Sequence, residues 1–175
     1  MLARNSDQPL TRARATFLAL LVPTIAVSAL TVAALPAGAG AGTTLHLYAK
    51  TSAKGLYTAT GQQITDPNAQ PMPGEVFVNL GRVYTGTATK HSGKSSGPYK
   101  VTCVLTSSTG NSTCNAKVTI GGSSFVSKNV PVNLANNSPV RITGGTGRYR
   151  GVQGFISSTS VPNTSDNELT VTYSH

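Results

Sequence analysis

The run Ile142-Thr143-Gly144-Gly145-Thr146-Gly147-Arg148-Tyr149-Arg150-Gly151-Val152-Gln153-Gly154 places five glycines within eleven residues. Short β-branched stretches flank it. Glycine takes positive φ without steric cost, so the run predicts a tight, conformationally demanding connection between strands. Gly144, Gly145, Gly147, Gly151 and Gly154 are its expected turn positions. The chain around it points the same way. Thr, Val, Ser and Gly dominate from Gly42 onward, good helix formers are sparse, and no amphipathic helix is visible.

Short alternating runs recur between turn signals, the pattern of an all-β barrel or sandwich. Eight segments qualify: Thr44–Lys50, Glu75–Leu80, Val83–Thr89, Tyr99–Thr106, Cys114–Ile120, Ser124–Asn129, Val152–Ser158 and Glu168–Ser174. Breakers separate them, among them Pro71-Met72-Pro73-Gly74, Ser96-Gly97-Pro98, Gly121-Gly122 and Asn136-Asn137-Ser138-Pro139. The stretch Gly55 to Gly74 reads as one long loop, a candidate cover for a barrel mouth. Alternation assigns Leu45/Leu47, Val76/Val78/Leu80, Val101/Cys103/Leu105, Ala116/Val118/Ile120, Val152/Ile156 and Leu169/Val171/Tyr173 to an apolar face. A closed barrel and a two-sheet sandwich both satisfy that pattern.

The N-terminus reads as a secretory signal over residues 1–41. Arg4, Arg12 and Arg14 form a basic region, Phe17 to Leu35 is largely apolar, and small residues follow with Ala-x-Ala at Ala37/Ala39 and Ala39/Ala41. A retained membrane anchor is the rival reading, since the apolar run is nearly long enough to span. Cleavage leaves one domain, residues 42–175, secreted and without stable membrane insertion. Of 14 basic and five acidic residues, Arg4, Arg12, Arg14 and Asp7 leave with the signal, so the mature chain keeps 11 and four, a net +7. Its cations are scattered along the sequence and no aromatic-basic interleaving accompanies them, so nucleic acid is not an expected partner. Attraction to anionic cell-surface polymers stays open. The only cysteines, Cys103 and Cys114, flank a turn signal at Thr109-Gly110-Asn111. In a secreted chain this predicts one disulfide across a hairpin.

Groups able to do chemistry are few. The mature acids are Asp66, Glu75, Asp166 and Glu168, and the histidines are His46, His91 and His175. Asp166 and Glu168 read as a solvated strand entry, and Glu75 as an exposed rim acid. No metal-ligand cluster, no Gly-x-Ser-x-Gly nucleophile and no phosphate-binding loop appears, and no cofactor is expected. His46, between Leu45 and Leu47, points to the polar face, as does Tyr48. Tyr99 alternates with Val101 and Cys103 and so points inward, the best-placed phenol for a lumen hydrogen bond.

Several motifs resemble one family. Ile142 to Gly154 is similar to the Gly-Gly-[Ser/Thr]-Gly-x-[Phe/Tyr]-x-Gly-x-x-Gly segment of the allene oxide cyclase and dirigent barrels. Leu45 to Thr51 resembles their first strand, Leu80-Gly81-Arg82-Val83-Tyr84-Thr85-Gly86 their second, Thr102-Cys103-Val104-Leu105 a central strand, and Leu169 to Tyr173 the closing strand. The resemblance implies an eight-stranded antiparallel, calycin-like β-barrel whose lumen takes a small apolar molecule. It also implies a homotrimer, for which Phe77, Phe125 and Phe155 are candidate interface residues. Cys103 aligns with the family's lumen cysteine. The family's first-strand glutamate and the asparagine two residues on correspond to Ala49 and Thr51, so cyclisation driven by that glutamate is not expected.

Three functions follow from this reading: a barrel that binds an apolar small molecule, an isomerase or cyclase that acts by holding its substrate in one conformer, or a structural barrel with a packed lumen. The expected lumen residues are Tyr99, Cys103, Leu105, Val118, Ile156 and Val171. Lumen volume discriminates. If Leu105, Val118, Ile156 and Val171 meet at the centre there is no pocket. A cavity of about 300 Å³ or more would admit a ligand.

Overall fold

A computed structural model describes residues 42–66 and 68–175. The expected signal peptide lies outside the described residues. The strands are β1 (Thr43–Tyr57), β2 (Gln63–Ile64), β3 (Val76–Thr85), β4 (Gly97–Leu105), β5 (Asn111–Ile120), β6 (Ser123–Asn133), β7 (Val140–Ile142), β8 (Gly144–Thr146), β9 (Gln153–Ser160) and β10 (Asn167–Ser174). They form one antiparallel sheet ordered β7-β9-β10-β1-β3-β4-β5-β6-β8, with β2 paired to the end of β1. β7 and β8 are parted only by Thr143, so the two ends of the sheet belong to one segment. The sheet therefore curls into a nearly closed barrel. Among the described residues there is no α-helix, and Gly147–Tyr149 form a 3-10 turn.

The barrel has ten strands where the alternation predicts eight. Two expected strands, Glu75–Leu80 and Val83–Thr89, merge into the single strand β3, which ends at Thr85, so Gly86 to Thr89 are not strand. Gly81 lies between them as a close-approach residue, not as a break: a Cβ there would stand 2.1 Å from the Lys50 carbonyl oxygen. The added strands are β2, inside the expected long loop, and β7 and β8, in and beside the glycine run.

The glycine run itself divides. Gly144 and Gly145 are strand residues of β8, not turn positions. Gly145 is required by closeness, since a Cβ would lie 2.1 Å from the Tyr149 carbonyl oxygen. Gly147 (φ +58°) and Gly151 (φ +79°) hold the turn, in the left-handed region that glycine enters freely. Gly154 sits inside β9 opposite Tyr173.

The inward face also differs from expectation at β3. Val83 and Gly81 are buried and Arg82 is exposed, so odd-numbered residues point inward. Val76, Val78 and Leu80 therefore lie on the outer side. Both faces of β3 carry apolar residues, and Asn79 and Gly81 make the inner one look polar, so alternation gives no clear parity.

Two apolar clusters share the barrel. The larger joins Phe125, Ile142, Tyr149, Val152, Val171 and neighbours, and the smaller joins Cys103, Cys114, Val130 and Val132. β8 bridges only the start of β6, from Ser124 to Val126, and β7 bridges only the start of β9, from Gly154 to Ile156. Past those points β6 and β9 run on unbridged, and the wall between them is completed by the connection from β6 to β7.

Candidate functional site

A cavity of about 300 Å³ occupies the end of the barrel where β6 and β9 part. Its floor and walls are apolar: Ala49 from β1, Phe77 from β3, Val101 from β4, Ala116 and Val118 from β5, and Ile156 from β9. Leu134, Asn137 and Ser138 of the β6–β7 connection form part of the lining on the open side. Lys54 is the one charged residue among the lining residues, with its ammonium 6.0 Å from the centre of the Phe77 ring.

Four of the six expected lumen residues, Tyr99, Cys103, Val118 and Ile156, line this cavity. Leu105 and Val171 do not. Leu105 is buried at the far end of β4, where its backbone carbonyl accepts the Gly74 N–H at 2.9 Å. Val171 is fully buried in the larger cluster.

The disulfide forms between Cys103 and Cys114, which stand directly opposite each other on β4 and β5. Both are fully buried on the cavity wall. The inward alternation of each strand puts them there: Tyr99, Val101 and Cys103 on β4, Cys114, Ala116 and Val118 on β5.

A hydrogen-bonded chain leads from the cavity to the surface. The Tyr99 hydroxyl donates to Asn79 Oδ1 at 2.9 Å and lies 2.9 Å from Thr51 Oγ1. Thr51 Oγ1 donates to the Ser165 carbonyl at 2.8 Å, and Thr51 N–H donates to Asp166 Oδ1 at 2.8 Å. The second Asp166 oxygen accepts the hydroxyl of Tyr48, outside the barrel. A β-bulge follows Thr51 on β1. Bulges re-aim side chains and interrupt the ladder, and here the change of register comes where β1 meets Asp166. Burial pushes the Tyr99 phenol up, the Thr51 hydrogen bond opposes that rise, and the Asp166 charge adds to it. The Asp166 hydrogen bond, then burial and the carboxylate charge, push Tyr48 up to about 12. Both phenols therefore stay protonated at neutral pH and act as donors.

Asn167, next to Asp166, is only 7% exposed and lines the cavity opposite Ala49. The polar part of the lining thus combines neutral groups, among them Asn79, Tyr99 and Asn167, with the ammonium of Lys54. Such a wall can orient a ligand by hydrogen bonding.

Sequence reasoning missed Thr51, Asn79, Asp166 and Asn167 in this role. Asp166 is not a merely solvated strand entry, because both of its oxygens are engaged. Glu168 likewise accepts the Ala88 N–H at 2.7 Å, and Glu75 accepts the Met72 N–H at 2.9 Å. His46 is exposed, as its alternation implies. Of the expected interface aromatics, Phe125 is fully buried and stacks on Tyr149, Phe77 lines the cavity, and Phe155 is 53% exposed. Among the described residues no three His, Cys, Asp or Glu side chains gather as metal ligands, and no helix is long and apolar enough to cross a membrane.

Comparison with known proteins bears on the fold. No family model matches the chain, and no curated protein sequence matches it. The solved structure of a pyocyanin demethylase superposes with a TM-score of 0.54 at 17% identity, covering 75% of this chain and 100% of that one. At that identity the likeness establishes a shared barrel and nothing about chemistry.

Proposed function

We propose that the chain is a secreted member of the allene oxide cyclase-like and dirigent-like barrels, with residues 1–41 as its signal peptide and residues 42–175 as the working domain, and that it holds a small apolar molecule in its lumen. The observation that carries this reading is the cavity of about 300 Å³, apolar on most of its wall and polar at groups that include Lys54, Asn79, Tyr99 and Asn167. Ligand pockets span about 300–1,000 Å³ and combine an apolar lining with a few placed polar groups, so this one suits a small ligand. The barrel shared with a protein named as a pyocyanin demethylase agrees with a lumen that takes small molecules.

Ala49 occupies the lumen wall where the resembled cyclases carry their glutamate, and the groups beside it are neutral. Binding is therefore the primary role. Any catalysis would come from holding a reactive ligand in one folded conformer, which requires neither acid nor base.

Native mass spectrometry of the protein recovered from its own culture medium tests the reading. A copurified apolar adduct is expected on the wild type, with Nile red fluorescence rising on addition to the emptied protein. Ala116→Leu projects an isobutyl group into the cavity and should abolish both signals while the fold persists. Absence of an adduct together with no Nile red response in the wild type would sink the proposal in favour of a structural barrel.

A further inference from the structure

The cations that are scattered along the sequence are aligned by the fold. Lys50 on β1 stands directly opposite Arg82 on β3, and Lys100 on β4 stands directly opposite Lys117 on β5. Arg82 is opposite Pro98 and Leu80 is opposite Lys100, so Arg82 and Lys100 are diagonal neighbours. All four side chains are exposed on the outer wall. Adjacent strands are about 4.8 Å apart, so the row crosses four strands in about 15 Å. Like charges directly opposite each other destabilise a sheet, and here two such pairs adjoin.

Carboxylates adjoin only the Lys50 end of the row: Asp166 is bonded to Tyr48 and to the Thr51 N–H on either side of Lys50, and Glu168 is opposite Tyr48. The strand partners of Arg82, Lys100 and Lys117 include no acid, and Asp66 and Glu75 are bonded within their own loop, to the Asn68 and Met72 N–H groups. Arg82 Nε donates to Ser95 Oγ at 2.9 Å, a neutral partner that fixes its head and leaves its charge intact. An aromatic patch adjoins the row. Tyr48 is opposite Tyr84, two residues from Lys50 and Arg82 respectively, and His91 stacks on Tyr48 with ring centres 4.7 Å apart.

We infer that the outer wall of β1, β3, β4 and β5 is a docking surface for an extended acidic polysaccharide, whose anionic groups pair with Lys50, Arg82, Lys100 and Lys117 while a sugar ring rests on the Tyr48–Tyr84–His91 patch. Charge complementarity carries the assignment. The surface favours a sugar polymer over a single-stranded nucleic acid on shape. Single-strand binders enclose the backbone in a groove and splay aromatic rings for bases to stack on. This wall is the convex outside of a barrel, and its rings are packed against one another.

Heparin is the probe, with neutral dextran and single-stranded DNA as comparisons, all measured on the secreted protein. Counterion release predicts that affinity for heparin falls about fifty-fold between 50 and 200 mM salt if four contacts form. Replacing Lys50, Arg82, Lys100 or Lys117 singly by Gln should weaken binding about three- to tenfold and reduce the salt slope by about one contact's share. Arg141→Gln removes the same charge from β7, away from the row, and should leave affinity within about twofold. Tyr84→Ala should weaken binding with no change in salt slope. Equal losses from Arg141 and the row would reduce the effect to net charge and overturn the inference. Tighter binding of single-stranded DNA through the same four residues would overturn the choice of polysaccharide. No binding of heparin at 50 mM salt would overturn it outright. None of these outcomes depends on whether the lumen holds a ligand.

Discussion

The two ends of the barrel solve the same problem differently. At one end Phe125, Tyr149 and Tyr173 fill the lumen, with ring centres 3.9 Å apart for Phe125–Tyr149 and 5.0 Å for Phe125–Tyr173. The glycine run makes that plug possible, because Gly145 and Gly147 let the Gly147–Tyr149 turn fold back against β6. At the other end Ala49, Ala116, Val101 and Val118 leave space beside Phe77 and Tyr99, and a disulfide ties two strands of the wall together. Leaving about 300 Å³ of the lumen unpacked forgoes side-chain contacts of the kind the plug makes. The plug and the cross-link are thus complementary: one end is stabilised by contact, the other by covalent restraint.

That contrast can be broken at either end. The largest effect is expected at the plug. Phe125→Ala should lower unfolding free energy by about 3–5 kcal/mol in denaturant titrations, and should do so with the disulfide intact. Less is expected from the paired change Cys103→Ser with Cys114→Ser. The bond spans 11 residues of sequence, and the chain-entropy estimate for so short a loop is about 2–3 kcal/mol. Near-ultraviolet circular dichroism sharpens the comparison. The aromatic signal of the plug should vanish in Phe125→Ala and persist in the cysteine variant. Loss of that signal in both would mean the two ends do not hold independently.

How much of this was legible in the sequence follows from how local each cause is. Alternation on β4, β5 and β10 is clean, so the inward positions of Tyr99, Cys103, Val118 and Leu169 were readable, and two cysteines flanking a turn were enough for the disulfide. β3 was unreadable because the demand for Gly81 comes from the Lys50 carbonyl on another strand. Gly144 and Gly145 looked like turn residues for the same reason: their smallness serves β6 and Tyr149, not a bend. The polar chain at the cavity depends on pairs far apart, Thr51 with Asp166 across 115 residues, which no local pattern encodes. The cationic row is the clearest instance. Lys50, Arg82, Lys100 and Lys117 show no periodicity along the chain, and only strand register sets them side by side.

The smallest expected effect lies at the rim of the hollow end, where Tyr48 ties Asp166, and with it the β9–β10 connection, to the outside of β1. The folded state holds the Tyr48 phenol at about 12 against an ordinary value of 10.0, so folding favours its protonated form. A group raised on folding contributes its full share below its unfolded pKa and loses it as pH climbs through the folded one. The contribution should therefore be intact at neutral pH and disappear between about pH 10 and 12. Because Tyr48 and Asp166 are only half-buried and sit at the surface, screening keeps that share small. Tyr48→Phe should remove it. The variant should be slightly less stable than wild type at pH 8, and the difference should close as the pH approaches 12. Tyrosinate absorbance should show one late-titrating phenol fewer. Phe125→Ala carries no such linkage through this contact, so its deficit should not close over the same interval. A Tyr48→Phe deficit that stayed constant up to pH 12 would mean the phenol contributes packing on His91 and Tyr84 rather than a proton held against Asp166.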